Sequence, residues 1–213
     1  LECIHMALEK FLLDLCNKQN LHDYVANLLE QILNRSRSAS MWAIVASVVT
    51  AHFEDFFNIL LCFFQNYRFL GLDLTRFTHE LTAHTLSFAY VGKEQLGKER
   101  KESNELTHRR NHLENVLQSL QISYSDSTKP QDKARLQLLY GCVEHLKKQV
   151  AEIPQEEKDY EDYMIARIDY RSMIKEEVTL KNGIKALRLT PNLTDAHKNA
   201  HQELEKSNIQ MAR

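Results

Sequence analysis

Residues 136–153, LQLLYGCVEHLKKQVAEI, carry the most regular apolar pattern in the chain. Its apolar side chains are spaced alternately three and four residues apart, which brings them onto one side of an α-helix. This apolar seam consists of Leu136, Leu139, Val143, Leu146, Val150 and Ile153. The pattern predicts a helix over residues 131–153 that packs along one or two other helices.

The most accessible partner for this seam is the preceding segment of the same chain. A polar loop at residues 123–130 favours an antiparallel hairpin between the seam helix and a helix predicted over residues 93–122. The alternative is a helix of another chain. Sustained coiled coils usually extend over at least about three heptads, and this seam is shorter. The intramolecular hairpin over residues 93–153 is therefore favoured.

Glycine and proline are scarce, with five glycines and three prolines in 213 residues. These residues form turns and end helices, and an all-β domain needs a turn about every 8–12 residues. The composition therefore excludes a β-sandwich or barrel and predicts an all-α protein.

Aromatic and charged residues divide the chain near residue 92. Eight of the nine phenylalanines and the only tryptophan lie between residues 41 and 90, whereas charged residues concentrate further along. A helix that is apolar on most sides is enclosed by others, and a highly charged helix faces solvent. We therefore expect a compact helical core over residues 1–92 and long, charge-rich, coiled-coil-like helices over residues 93–213.

Within the first part, residues 35–40 are predicted to form a polar loop, followed by a central helix that ends near Thr50. The aromatic residues between 53 and 69 recur at helical spacing, which favours core packing, with the lining of a ligand cavity as the alternative. Gly71 is expected to end this run, and Asp73 to cap the helix after it.

The end of the second part is ambiguous. A helix is predicted over residues 155–182, and a polar helix over residues 190–211. Between them, Asn182-Gly183 is a common β-hairpin turn, but glycine also occurs just after the last residue of many helices. An isolated hairpin is barely stable in water, so a helix stop is favoured, although the sequence leaves both structures open.

No catalytic residue, metal ligand or cofactor site is predicted. His79 and His84 come close to a zinc-protease motif, but they are five residues apart instead of four, so their rings cannot face one ion. His52 lies beside two carboxylates, Glu54 and Asp55, and the three are more typical of the polar edge of an apolar helix than of a metal site or an acid–base pair. The chain also lacks a glycine-rich phosphate loop.

Charge and cysteine content limit the classes of partner. The net charge is −2 and acidic residues interleave with basic ones, so no nucleic-acid interface is predicted. Charged residues interrupt the longest apolar stretch, residues 41–72, which argues against a transmembrane span. The four cysteines occur singly, as is typical of reduced thiols, and we expect the protein in the cytoplasm or the nucleus.

The sequence thus predicts a non-enzymatic scaffold or adaptor subunit of a multi-protein complex, as a homo- or hetero-oligomer. Helical segments of other proteins would dock along apolar seams. Tyrosines on the otherwise charged helix predicted over residues 155–182 are also predicted to bind a partner, because tyrosine is enriched at protein interfaces. The predicted protein-binding residues are Leu136, Leu139, Val143, Leu146, Val150, Tyr160, Tyr163 and Tyr170. The alternative is a regulatory helical domain that acts on a small GTPase as an exchange factor or effector.

Overall fold

A computed structural model of the chain describes residues 2–83, 98, 102, 106–179, 183–199 and 201–202. The chain is mostly helical, as predicted, and these residues also contain one two-stranded sheet. The chain divides into two compact units, Leu1–Val116 and Leu117–Arg213.

Five α-helices lie in the described part of the first unit. They are α1 (Glu2–Cys16), α2 (His22–Arg35), α3 (Ala39–Ala51), α4 (Phe57–Phe63) and α5 (Tyr67–Ala83). The apolar stretch over residues 41–72 is therefore split between α3, α4 and the start of α5. None of the helices in the described residues combines the length and the apolar character needed to cross a membrane.

The helix α3 is central to the first unit, as predicted. Every residue from Ile44 to Thr50 is buried, and α3 contacts α1, α2 and α4. Burial at consecutive positions means that neighbours enclose the helix on all sides. Polar groups here are paired, since Ser47 donates a hydrogen bond to Glu9, which also forms an ion pair with Arg109.

The predicted helix break at Gly71 is wrong. The helix α5 continues through Gly71 and Asp73 to Ala83. Asp73 is buried and caps a different helix, because its Oδ2 accepts the backbone N–H of Leu113 over 2.7 Å. The cap position was misassigned because a short carboxylate can bind the first N–H groups of any helix that lies beside it.

Leu113 begins the helix α6 (Leu113–Ser125), which differs from the predicted helix over residues 93–122. A 3-10 turn at Thr107–Arg110 precedes it and residues 111–112 are not helical, so the predicted helix is not continuous. Residues 93–97, 99–101 and 103–105 lie outside the described residues.

The second unit contains α7 (Pro130–Ala151) and α8 (Gln155–Ile168), followed by β1 (Ile174–Thr179) and β2 (Lys185–Thr190). The helix α7 agrees with the helix predicted over residues 131–153, and it packs against α8. The predicted start at residue 190 of the last helix, residues 190–211, is wrong: Thr190 still belongs to β2, and residues 191–194 are not helical. Residues 195–199 and 201–202 are helical, and residues 200 and 203–211 lie outside the described residues.

The helix predicted over residues 155–182 and the favoured helix stop at Asn182-Gly183 are both wrong. The helix α8 ends at Ile168, and β1 pairs with β2 in antiparallel register from Ile174↔Thr190 to Thr179↔Lys185. Gly183 has a φ of 78°, a conformation that glycine adopts without steric cost. Residues 180–182 lie outside the described residues.

Tertiary contacts explain why α8 stops early. Gln121 is completely buried, and its amide donates a hydrogen bond to the carbonyl of Ile168 over 2.7 Å. The side-chain oxygen of Gln121 accepts the backbone N–H of Tyr170. A side chain far away in the sequence thus pairs the backbone groups at the end of α8 and fixes its last turn.

Candidate functional site

The predicted protein-binding seam is buried inside the second unit. The five seam residues that were predicted to bind a protein, Leu136, Leu139, Val143, Leu146 and Val150, are all buried, and four of them have no solvent exposure. A side chain that is already covered offers no further apolar area to a partner. The binding role of the seam therefore stays a prediction, and other surfaces are better placed to bind a protein.

The predicted tyrosines are also largely covered. Tyr163 and Tyr170 are buried, and Tyr160 is half-buried. Tyr163 contacts the ring of His201 at a centroid distance of 5.0 Å, and the ammonium group of Lys175 lies 3.7 Å from the ring centre of Tyr170. These rings pack within the unit, so their predicted role at an interface also remains open.

A charged cluster lies next to the end of α8. Asp169 is buried and accepts hydrogen bonds from Lys147 over 2.6 Å and from the Nε of Arg171 over 2.8 Å. Burial favours the neutral acid, but these two cations outweigh burial and lower the pKa of Asp169. Arg171 also binds Glu144, whose pKa falls because of that hydrogen bond. The cluster connects α7 to the segment after α8, which is a structural role.

His52 and Asp55 form part of a small polar cluster with His22. The Nδ1 of His22 lies 3.4 Å from the Oδ1 of Asp55, and the Nδ1 of His52 lies 3.9 Å from the Oδ2 of Asp55. Cys16 is close by, but burial and the charge of Asp55 raise the pKa of its thiol to about 11. A nucleophilic cysteine needs a lowered pKa, so this arrangement does not activate Cys16.

Metal-binding geometry is also lacking where the structure can be assessed. Among the described residues, no three histidine, cysteine or carboxylate side chains converge closely enough to hold a metal ion. The histidine pair considered in the sequence cannot be assessed, because His84 and the side chain of His79 lie outside the described residues.

The candidate binding site is an apolar cavity of about 580 Å³ in the first unit. One face of α3, the loop before it, and α5 form most of its walls, and α4 contributes Phe63. The lining residues are Ser36, Arg37, Ser38, Ala39, Trp42, Ala43, Ala46, Phe63, Phe69, Leu72, Asp73, Thr75, Arg76 and Leu113. Its volume lies within the range of about 300–1,000 Å³ that is usual for binding pockets.

Aromatic rings from three helices form one side of the cavity. Trp42 of α3 stacks on Phe69 of α5, and Phe63 of α4 meets both rings at steep angles. The indole N–H of Trp42 donates a hydrogen bond to the carbonyl of Ser36 over 3.2 Å, which holds the loop against the helix. Trp42 is the only tryptophan, so its fluorescence reports on this site alone.

Small side chains on α3 leave the space open. Ala39, Ala43 and Ala46 share a helical face with Trp42, because residues three and four apart lie on the same side. Larger residues at these positions would fill the space between α3 and α5. The composition of this face therefore produces the cavity next to an otherwise well-filled core.

The rim of the cavity carries positive charge. Arg37 lines the cavity and Arg35 is the last residue of α2; both are exposed, and neither forms an ion pair within the described part of the chain. Arg76 lies deeper and is paired with Asp73 through a 2.7 Å hydrogen bond. A second, more open hollow of about 380 Å³ also has Ser36 in its wall, next to Arg35 and Met41.

Sequence reasoning missed this site in part. The aromatic residues between 53 and 69 were noted as a cavity lining only as the alternative to core packing. Phe63 is buried, which agrees with core packing, while Phe69 is half-buried at the cavity wall; a ligand for this cavity stays a prediction. The alanines on one face of α3 were the remaining signal in the sequence.

Comparison with known proteins gives no relative. None of the known protein-family models matches this chain, and a search of curated proteins also returns no match. The function therefore has to be argued from the cavity itself.

Proposed function

We propose that this chain is a non-enzymatic scaffold that binds other proteins, and that the cavity beside Trp42 receives an apolar side chain of a partner. The observation that carries the proposal is an apolar cavity of about 580 Å³ beside the first half of the central helix. A pocket of this kind, with few polar groups around it, is the usual form of a binding site.

The shape of the surface favours a protein segment over a small molecule. The cavity and the second hollow share Ser36, so the two depressions adjoin each other at this residue. An extended or helical segment can place one apolar side chain in each depression, as helix-in-groove partners do. A small ligand would occupy only one of them.

The positive charge at the rim of the cavity favours a partner with acidic residues beside its apolar side chains. Arg37 is exposed on the loop that lines the cavity, and Arg35 is exposed at the end of α2, where it lines the second hollow. Acidic residues next to the apolar anchors of the partner would pair with these guanidinium groups, and such rim charges mainly increase the association rate and the specificity. We therefore expect a partner segment that combines large apolar residues with aspartate or glutamate.

The energy available is modest and fits a module that acts together with others. Burying one leucine-sized side chain contributes about 2 kcal/mol, and association itself is costly. Two anchors would give weak binding on their own.

Filling the cavity tests the proposal. Ala43→Leu adds an apolar side chain to the cavity wall and should leave the helix intact. Ala134→Leu makes the same change on an exposed position of α7 and serves as the matched control. Proteins captured from cell extract after crosslinking are quantified for the wild type and both variants.

We expect a set of proteins whose capture falls at least tenfold with Ala43→Leu and is unchanged with Ala134→Leu. Far-ultraviolet circular dichroism confirms that both variants are folded. Equal capture by all three forms would show that the cavity does not bind a partner.

A further inference from the structure

The hairpin formed by β1 and β2 has an open edge on each strand. Within the described residues, β1 has β2 on one side and no strand on the other. The side chains of β1 are exposed except for Val178, which is half-buried, and 46% of Ile174 is exposed. A two-stranded sheet without cover is marginally stable in water, and an added strand would satisfy the unpaired backbone groups.

We propose that β1 pairs with β1 of a second copy of this chain, forming an antiparallel four-stranded sheet around a two-fold axis. The residues Ile174, Lys175, Glu176, Glu177 and Val178 read apolar, positive, negative, negative, apolar. Reversed against itself, this order places Lys175 opposite Glu177 and the apolar Ile174 opposite the apolar Val178, with Glu176 opposite its own copy at the centre. The strand is therefore complementary to its own copy.

The two-fold axis restricts the register. Residues directly opposite each other in an antiparallel pair point to the same face of the sheet. Along one strand the faces alternate, so in two identical strands an odd-numbered residue can lie opposite only an odd-numbered residue, and an even-numbered residue opposite only an even-numbered one. Centring the axis on Glu176 places Lys175 opposite Glu177 of the second copy, twice. It also places Ile174 opposite Val178 of the second copy, twice.

The two neighbouring registers are unfavourable. Moving the two-fold axis from Glu176 to Lys175 places Lys175 opposite Lys175 of the second copy. Moving it to Glu177 places Glu177 opposite Glu177 of the second copy. Like charges directly opposite destabilise a sheet. The complementary register is thus favoured over both alternatives by two Lys–Glu pairs.

In this register the two Glu176 side chains lie opposite each other at the axis, and positive side chains on the same face of the sheet compensate their charge. Within each copy, Glu176 lies opposite Arg188 of β2. The row across the four strands would read Arg188, Glu176, Glu176, Arg188, with each carboxylate beside a guanidinium group. The arrangement carries no net charge in this row.

The edge of β2 is less suited to self-pairing. Its charged residues, Lys185 and Arg188, are both positive. No register of two copies of this strand can therefore form an oppositely charged pair across the edge, whereas β1 forms two. The choice of β1 over β2 thus follows from charge.

The expected dimer is weak, because one six-residue strand from each copy buries less than the roughly 1,200 Å² of a standard interface. Sedimentation equilibrium of the full chain over a range from about 10 µM to 1 mM is the appropriate measurement, with a dissociation constant in the micromolar to millimolar range. We expect the wild type to shift from monomer to dimer across this range.

Charge exchange tests the register. Lys175→Glu alone and Glu177→Lys alone each place two like-charged pairs at the interface, so each variant should stay monomeric. An equimolar mixture of the two restores both Lys–Glu pairs and should form a heterodimer. Lys185→Glu, the same change on β2, is the matched control and should dimerise like the wild type.

Lys175 also contacts the ring of Tyr170, so circular dichroism and thermal unfolding of each variant verify that the fold is kept. A wild type that is monomeric at 1 mM would overturn the proposal, and would leave the edge of β1 to a strand of another protein. A mixture of the two variants that remains monomeric would overturn it as well.

Discussion

Trp42 lies almost flat against Phe69, with ring centroids 5.0 Å apart and ring planes inclined by 12°. Phe63 stands at a steep angle to both rings. The three rings come from α3, α4 and α5, so the wall of the candidate cavity also holds three helices together. These ring contacts therefore contribute to the stability of the first unit.

Removal of the stack should lower stability. Phe69→Leu keeps an apolar side chain but loses the ring contact with Trp42, and we expect the free energy of unfolding to fall by about 1 kcal/mol. Phe11→Leu is the control, since Phe11 is 53% exposed on α1. Urea denaturation followed by circular dichroism measures both; equal losses would contradict a specific role for the stack.

The hydrogen bond between the side chain of Asp73 in α5 and the first residue of α6 should contribute to the free energy of unfolding. The variant Asp73→Ala removes the acceptor of the Leu113 N–H and leaves Arg76 without this partner. The expected loss is about 2–3 kcal/mol, because the carboxylate is buried and charged. Asp14→Ala removes an exposed i,i+4 pair with Lys10 and should change stability by less than about 0.5 kcal/mol. A similar small effect at Asp73 would refute the assigned cap.

The glycines should respond in opposite directions to alanine. Gly71 and Gly141 lie inside helices, and a Cβ added at either position meets no atom within 4 Å. Each Gly→Ala change should raise the free energy of unfolding by about 0.5–1 kcal/mol. Gly183→Ala should lower it by about 1 kcal/mol, since its φ is 78°. If Gly183→Ala were stabilising, the turn described for the hairpin would be incorrect.

These outcomes separate what could be predicted from the sequence from what could not. Helical periodicity is a local signal, and it located the central helix and the seam helix correctly. Gly71 and Asp73 look like a helix stop and a cap in the sequence, yet the packing of α5 and the position of Leu113 override both. Local patterns do not show which distant backbone group a side chain will meet.

The hairpin was missed for the same physical reason. Asn182-Gly183 fits a turn and a helix stop equally well, and the decision depends on Gln121, which pairs the backbone at the end of α8 from about 50 residues away. The cavity depends on how the alanine face of α3 meets α5, which is a relation between helices. Periodicity correctly indicated that Leu139 and Leu146 pack against other helices. It did not show that those helices belong to the same unit and bury both side chains.

Acid should weaken the second unit through Asp169. Its pKa is lowered in the folded protein, so its contribution is present above the unfolded pKa of about 4 and is lost as the pH falls through the folded value. At pH 7 we expect Asp169→Asn to cost about 2 kcal/mol, and this difference from the wild type should shrink towards pH 2.

Urea denaturation at a series of pH values measures this difference. The control is Asp195→Asn, which removes an almost fully exposed partner of Lys198 and should match the wild type at every pH. A loss at Asp169→Asn that is the same at pH 2 and pH 7 would show that its ionised carboxylate does not stabilise the fold.

Site-specific photo-crosslinking tests the proposed protein-binding cavity most directly. Thr75 and Thr78 are exposed neighbours on α5, and each hydroxyl donates to the carbonyl four residues earlier, but only Thr75 lines the cavity. Replacing each in turn by p-benzoylphenylalanine and irradiating the chain in cell extract should give discrete protein adducts at position 75 and none of them at position 78. Identical adducts at the two positions, or none at position 75, would contradict a partner-binding cavity.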